Sequence, residues 1–356
     1  HMHIVLIKPD GIGDYLLFRN FLPEIRRKAG SGGRVTALLN PAVRGLADTV
    51  DADQFDRIVW LDQRRFRYEP RYRLLKSWQI RLLSADEVVY PVEGRLSEID
   101  WVAQRIRAPS RVTAANDGSN MSFSRSAETD RWYSSVVAMP QGERLFQMER
   151  NRRFVQGWLG KTVSTGAPRM ERSRLPRICR PDGPYGLLFP GAGAAIRRWP
   201  TRRFAEVARA WIARGWTVYV AGSSGDAALA ADIINATGSE RIHSLCGRIP
   251  LDQVAAWTAG AQLVVTNDSF PLHLCASLDV PHVCVSNGND YGRFHPYPDG
   301  VGRGRVVYAP DFTKRLADPA SCWGRPSEVD IATVTPEAVL AAGDAVLTGC
   351  SLEALA

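Results

Sequence analysis

The sequence predicts an α/β protein made of parallel, doubly wound sheets in two domains. Short apolar runs alternate with helix-period runs along almost the whole chain, the rhythm of strand–helix–strand units. At 356 residues the chain is too long for one typical core. Between 164 and 184 the composition shifts to Gly, Pro, Ser and Arg, as a linker would. The expected division is 1–165, a linker 166–184, a second domain 185–334, and a closing segment 335–356.

The first half opens with strand 3–7 and a glycine turn at 11–13. A helix over about 15–29 follows, patterned by Leu16, Leu17, Phe21, Leu22 and Ile25 and stopped at Gly30. Strand 34–39, the turn Asn40-Pro41 with a short helix, and strand 57–61 come next. Residues 64–83 are basic and aromatic. Strand 87–90 and helix 95–107 precede a polar, poorly periodic stretch, 112–142, which reads as a long loop or insertion. Residues 143–160 read as a helix. The second half is cleaner: strand 185–189, helix 201–214, strand 216–221, helix 226–236, strand 241–245, helix 251–259, strand 262–266, helix 271–278 and strand 281–286. Helix 335–348 ends the series.

Composition narrows the function. The chain is 45% hydrophobic and 23% charged, as a globular protein is. It has neither a membrane-spanning run nor the pattern of a signal peptide. His1 before Met2 reads as a residue left by a tag. The six cysteines form no CxxC pair, so they are expected to be reduced thiols of a cytoplasmic protein. Charge is uneven. Residues 1–180 carry 31 Lys and Arg against 20 Asp and Glu, a net of +11, while 181–356 carry a net of −3. A basic first half suits an anionic partner, or is simply a solvated surface.

Three strand-to-helix turns carry the chemistry, because a parallel sheet binds ligands at the carboxyl ends of its strands. The first is Lys8-Pro9-Asp10-Gly11-Ile12-Gly13-Asp14. Gly11 and Gly13 let a substrate approach the backbone, and Asp14 is placed to act as general base or to cap the helix. Lys8 is an anion contact or a strand-end charge. The second turn, Pro190-Gly191-Ala192-Gly193 through Arg197-Arg198-Trp199-Pro200, offers backbone N–H groups and guanidinium forks to a diphosphate. It fits neither the dinucleotide nor the P-loop pattern. The third is Asn267-Asp268-Ser269-Phe270-Pro271-Leu272-His273. Here Asp268 and Ser269 are sugar and phosphate contacts or caps, and His273 is a ligand contact or a packed core residue. Asp226, after Gly222-Ser223-Ser224-Gly225, suits a ribose contact or a solvated cap. Residues 287–295 suit base or acceptor recognition, or an ordinary loop. No metal-ligand motif is present.

These three motifs, in this order, resemble glycosyltransferase family 9, the ADP-heptose:lipopolysaccharide heptosyltransferases. The resemblance is strong over 185–285, good over 3–28 and faint over 110–170. It implies a GT-B fold, two Rossmann-like domains facing across a cleft, with the closing helix packing back toward the first. It implies inverting, metal-independent transfer without a cofactor, from a nucleotide sugar such as ADP-heptose. The acceptor would be an anionic glycan or glycolipid such as the lipopolysaccharide core. By position Asp14 matches the base, Arg197 the phosphate contact, and Asp268, Ser269 and His273 the donor loop, with Gly191, Ala192, Gly193 and Asp226 beside it. Lys8, Gly13, Arg64 and Arg65 fall on the acceptor side. Phe270 stands where the family has glycine, which singles out the donor-sugar pocket.

The basic first half also suits peripheral contact of a cytoplasmic protein with the anionic inner membrane surface, and segment 64–81 holds no recognisable nucleic-acid module, so no nucleic-acid partner is expected. Two other classes fit the same residues. A nucleotide-sugar epimerase or hydrolase would convert donor without an acceptor. A polyanion binder using 64–81 would bind oligonucleotides in a salt-dependent way.

Overall fold

The computed structural model describes residues 1–164 and 166–349. They form two compact units, one of His1–Glu143 and Gln147–Gly166, the other of Arg144–Phe146 and the chain from Ala167 onward.

The first unit is a six-stranded parallel sheet: β1 His3–Lys8, β2 Arg34–Leu39, β3 Arg57–Trp60, β4 Glu87–Tyr90, β5 Ser110–Ala114 and β6 Ser135–Val137, in the order β3-β2-β1-β4-β5-β6. Helices cover it, and the central strand is apolar on both faces. Ile4, Val5, Leu6 and Ile7 are all buried, the pattern of a parallel strand packed on two sides.

The second unit repeats the scheme. Its strands are β7 Tyr185–Phe189, β8 Thr217–Val220, β9 Ile242–Ser244, β10 Leu263–Asn267, β11 His282–Ser286 and β12 Gly304–Tyr308, in the order β12-β11-β10-β7-β8-β9, all parallel. In both units the first strand lies between the second and the fourth. The winding therefore reverses between β1 and β4, and again between β7 and β10. A doubly wound sheet opens a crevice for ligands at such reversals.

The expected helix over 15–29 is broken. It runs as Ile12–Phe18, a 3-10 turn Arg19–Phe21, and Leu22–Ala29. Pro23 lacks the N–H for an i−4 bond and restricts the residue before it, so the helix restarts there. Asn40-Pro41 leads only into a 3-10 turn, Pro41–Val43. The stretch 112–142 is not a loop: it holds the end of β5, the helix Phe123–Thr129 and the edge strand β6. Ser122 caps that helix by accepting from the Arg125 N–H at 3.2 Å. These elements are too short and polar to show a period. Strand β12 was likewise not expected, since its Gly304-Arg305-Val306-Val307-Tyr308 run is only half-buried at a sheet edge.

The helix Pro336–Thr348 packs on β11, β12 and the helix Thr201–Ala213, all within the second unit. Its buried residues Val339 and Ala342 fill the same core as Trp199, Phe204 and Trp211. Cys179, Cys246, Cys275, Cys284 and Cys322 are free thiols, and Cys350 lies outside the described residues. Among the described residues no helix is long and apolar enough to cross a membrane.

Candidate active site

In the first unit, β1 ends at Lys8 and the chain turns through Asp10 and Gly11 into the helix Ile12–Phe18. Gly11 has no side chain to cap the helix, and the Tyr15 N–H closes the first turn on the Gly11 carbonyl at 3.0 Å. Asp14 is the third helical residue. Its carboxylate leans back over the helix start, with Oδ2 3.8 Å from where a Gly11 Cβ would stand. It is half-buried, at the end of the helix where the backbone dipole favours an anion. Next to it, Tyr15 donates to Asp51 Oδ2 at 2.6 Å, and Arg19, a turn further on, grips both Asp51 oxygens at 2.9 and 2.6 Å. That buried cluster fixes the helix that carries Asp14.

Lys8 does not reach outward as a lone cation. It is buried, with Nζ 2.7 Å from Asp10 Oδ2 and 5.3 Å from the centre of the Phe18 ring. The other oxygen, Asp10 Oδ1, is buried and has no hydrogen-bond partner. A buried acceptor in that state invites a donor from a ligand. Arg64 and Arg65 begin the helix Gln63–Tyr68, where Asp62 caps both of their backbone N–H groups. Arg65 is partly committed, to Glu69 at 3.0 Å and to the Tyr72 ring at 4.3 Å. Arg64 is exposed.

In the second unit, the loops after β7 and β10 flank the reversal of winding, and one side chain joins them. Asn267, the last residue of β10, donates from Nδ2 to the carbonyls of Pro190 and Gly191 at 2.8 and 3.3 Å. Its Oδ1 accepts from the Trp199 N–H at 3.0 Å. Both ends of the glycine loop are thus held by one buried amide. Trp199 is buried and donates from its indole to the Val334 carbonyl, so it fixes the loop's exit. Arg198 folds back onto the Ala192 carbonyl. The half-buried Arg197 closes over Gly193, whose absent Cβ would lie 2.9 Å from Nη2.

Ser269 is the N-cap of the helix Phe270–Leu278, yet its hydroxyl makes no capping bond, which leaves it for a ligand. Phe270 packs edge-on against Phe189 at the end of β7, ring centres 6.1 Å apart. Asp226 is used structurally. Its Oδ2 accepts from the Ser223 N–H at 3.0 Å and from the hydroxyl at 3.2 Å in a capping box. A Cβ on Gly191 or on Gly222 would stand 2.5 Å from its carboxylate, so those glycines make room for the cap. The alternatives left open by the sequence thus part here: Asp226 caps a helix and Ser269 does not.

Asp268 is buried and faces His295, with Oδ2 3.2 Å from Nε2. Nε2 also lies 2.7 Å from the Asn289 carbonyl, which only accepts, so that nitrogen carries a proton. Nδ1 lies 2.9 Å from the Tyr308 hydroxyl. Burial alone would raise the Asp268 carboxyl, but the charge and hydrogen bond of His295, with Arg197 and His273, bring it below its usual value. Burial alone would lower His295, and Asp268 overrides that and raises it. Each partner thus favours the charged form of the other. His295 is the residue that motif reading missed. The 287–295 loop was marked for its polar and aromatic content, but nothing in the order of residues pairs its last member with Asp268.

His273 is buried with Nδ1 2.8 Å from the Tyr297 hydroxyl, and burial pushes its imidazole down to about 4. It stays neutral, and the unfolded chain takes up a proton first, near pH 6.5. This contribution to stability is complete above pH 6.5 and is lost as pH falls toward 4, for about 3 kcal/mol in all. Urea unfolding of His273→Gln across that window is expected to show a shallower acid slope than the parent chain. Among the described residues no group of three His, Cys, Asp or Glu side chains could hold a metal ion.

Two parallel α/β units of this topology place the protein in the GT-B class, and solved structures agree on the fold. Glycosyltransferase family 9 from Veillonella parvula superposes with a TM-score of 0.74 at 18% identity, over 98% of both chains. The Escherichia coli heptosyltransferase WaaC with ADP-2-deoxy-2-fluoro heptose gives 0.68 at 18%, over 95% of this chain and 98% of that one. Residues 146–313, just under half of the chain, match glycosyltransferase family 9 (heptosyltransferase). Lipopolysaccharide heptosyltransferase 2 of Salmonella typhimurium is 37% identical over 100 residues, 27% of this chain and 29% of its own length. The match therefore spans under a third of that relative.

Proposed function

We propose that the protein is an inverting glycosyltransferase that moves a heptose or related sugar from a nucleotide diphosphate donor to a hydroxyl of a phosphorylated glycan or glycolipid, such as the lipopolysaccharide core. ADP-heptose is the expected donor, as a fluorinated analogue of it is bound in the WaaC complex. The observation that carries the reading is the pair of loops clasped by Asn267 at the winding reversal of the second unit. They bring together a glycine turn, Arg197 and the unspent Ser269 hydroxyl at a helix start. Backbone N–H groups near 191–194 and 269–270 and the Arg197 guanidinium hold the diphosphate and take up its charge as it departs. No metal or further cofactor is called for in that role. Asp268 receives sugar hydroxyls, and His273, neutral and buried, supports the loop from beneath. Phe270, braced on Phe189, walls the sugar pocket.

In the first unit Asp14 accepts the proton of the attacking hydroxyl, and Asp10 and Arg64 meet the acceptor's polar groups. The sugar passes through an oxocarbenium-like state as the bond from C1 to the diphosphate breaks and the bond to the acceptor oxygen forms. The reaction takes place on the cytoplasmic side of the membrane that carries the acceptor.

A thermal-shift screen over nucleotide sugars tests the reading, since a ligand that binds only the folded chain raises its melting temperature. ADP-heptose is expected to give the largest rise, and no rise with any nucleotide sugar would refute the proposal. Transfer is expected to persist in excess chelator and to give product of inverted anomeric configuration by NMR. Arg197→Ala is expected to weaken donor binding by about 10–100-fold, the worth of a charge-assisted hydrogen bond, in calorimetry.

A further inference from the structure

The helix Pro70–Arg81 turns its apolar residues the wrong way for a helix on a globular surface. Leu74, Leu75 and Trp78 are 61, 71 and 66% exposed, and Leu82, just past its end, is 79% exposed. At 100° per residue, Arg71, Leu74, Leu75, Trp78 and Leu82 fall on one stripe. Ile80 is the helix's buried residue, flanked on the inner side by Tyr72, Arg73 and Lys76. The inner contacts are cation–π: Arg73 lies 5.1 Å from the Phe66 ring centre and 5.5 Å from that of Trp101. The leucines are therefore not needed to hold the helix on the unit. Tyr68, 67% exposed, ends the preceding helix. Of the eight large hydrophobic residues that stand exposed among the described residues, five lie in these fifteen positions, so this is a patch and not the usual scatter.

Charge says what covers it. Segment 64–82 carries seven Arg and Lys against one acid, Glu69. Arg71 sits on the apolar stripe itself, Arg81 flanks it beside Leu74, and Arg64, Arg65 and Arg67 lie just before it. A second copy of this chain would bury the leucines but bring the same cations together, which is unfavourable. An anionic lipid surface uses both features, taking Trp and Leu at the acyl boundary and Arg at the headgroups. We propose that the outward face of the helix Pro70–Arg81 is a docking surface for an anionic bilayer, on which the helix lies flat with Leu74, Leu75, Trp78 and Leu82 inserted among the headgroups. The inference rests on the reading of a membrane-borne acceptor for its purpose. Its test involves no sugar transfer, so the two fail separately.

The test is sedimentation of the full chain with sucrose-loaded vesicles of phosphatidylglycerol and phosphatidylcholine in equal parts, and of phosphatidylcholine alone. The expected result is binding to the anionic vesicles that weakens with added salt. The variant Leu74→Ser/Leu75→Ser/Trp78→Ser is expected to lose about tenfold or more in partition coefficient, and Arg71→Glu/Arg81→Glu about tenfold. Unchanged melting temperatures identify both variants as folded, as exposed positions allow. Three results would overturn the proposal: a wild-type chain that stays in the supernatant, a folded serine variant that binds like wild type, or a concentration-dependent dimer abolished by the serine variant. The last would assign the face to self-association.

Discussion

Asp14→Asn is expected to lower the turnover of sugar transfer by about a hundredfold to ten-thousandfold while leaving donor affinity within about twofold, because general-base catalysis is worth that much. The substitution keeps the shape of the side chain and its place at the helix start, so binding and stability change little. Asp14 sits on a helix fixed through Tyr15 and Arg19 to Asp51, and the donor loops belong to the other unit. The proposed base and the proposed donor contacts are thus separable by mutation. Steady-state kinetics alongside calorimetry of donor binding check the split. If turnover survives, Asp14 is a helix-start anion only, and the base must be sought elsewhere.

The second large effect lies in the ion pair. His295→Gln keeps a hydrogen-bonding side chain but removes the positive charge from beside Asp268. A buried carboxylate that loses its partner destabilises by about 3–5 kcal/mol. For a unit of this size that corresponds to a fall of roughly 6–20 °C in melting temperature. Asp268→Asn/His295→Gln is expected to recover much of the loss, because no lone charge then remains buried. Additive losses in the double-mutant cycle would show the two residues to be uncoupled.

The pair also has a pH signature. His295 is raised above its unfolded value, so its contribution is present below about 6.5 and fades as pH rises through the raised value. His273 does the reverse. Removing His295 should therefore flatten the alkaline side of the stability curve while leaving the acid side in place.

Much of this was legible in the chain. The buried strands β1, β7 and β10 announce themselves as apolar runs, and each feeds a turn whose glycines and polar residues mark a strand end. The alternation of strands with helices was enough for a parallel, doubly wound sheet. The edges were not legible. Strand β6 has three residues and β12 is half-buried, so neither carries enough apolar surface to stand out. Within the site, local order foretold what each turn offers but not how its atoms are used. Asp226 and Ser269 both open helices and look alike in sequence. The capping box takes one, and the extended backbone of the other leaves its hydroxyl unspent. Lys8 reads in sequence as an anion contact or a strand-end charge, and in the fold it is buried and paired with Asp10, two residues on. Pairings across long separations, Asp268 with His295 and Asn267 with the Pro190 carbonyl, depend on the fold bringing distant segments together.

The Asn267 clasp bears on how fast and at what entropic cost a ligand is taken up. A glycine-rich loop left free must be ordered by whatever it binds, and that ordering is subtracted from affinity. Here three hydrogen bonds from one buried amide hold the loop's two ends before any ligand arrives. Its backbone donors are preorganised, so nucleotide association should proceed in a single kinetic phase, without a slow loop rearrangement. Asn267→Ala would turn that rigid receptor into a flexible one, and the loss should register chiefly as a more unfavourable binding entropy.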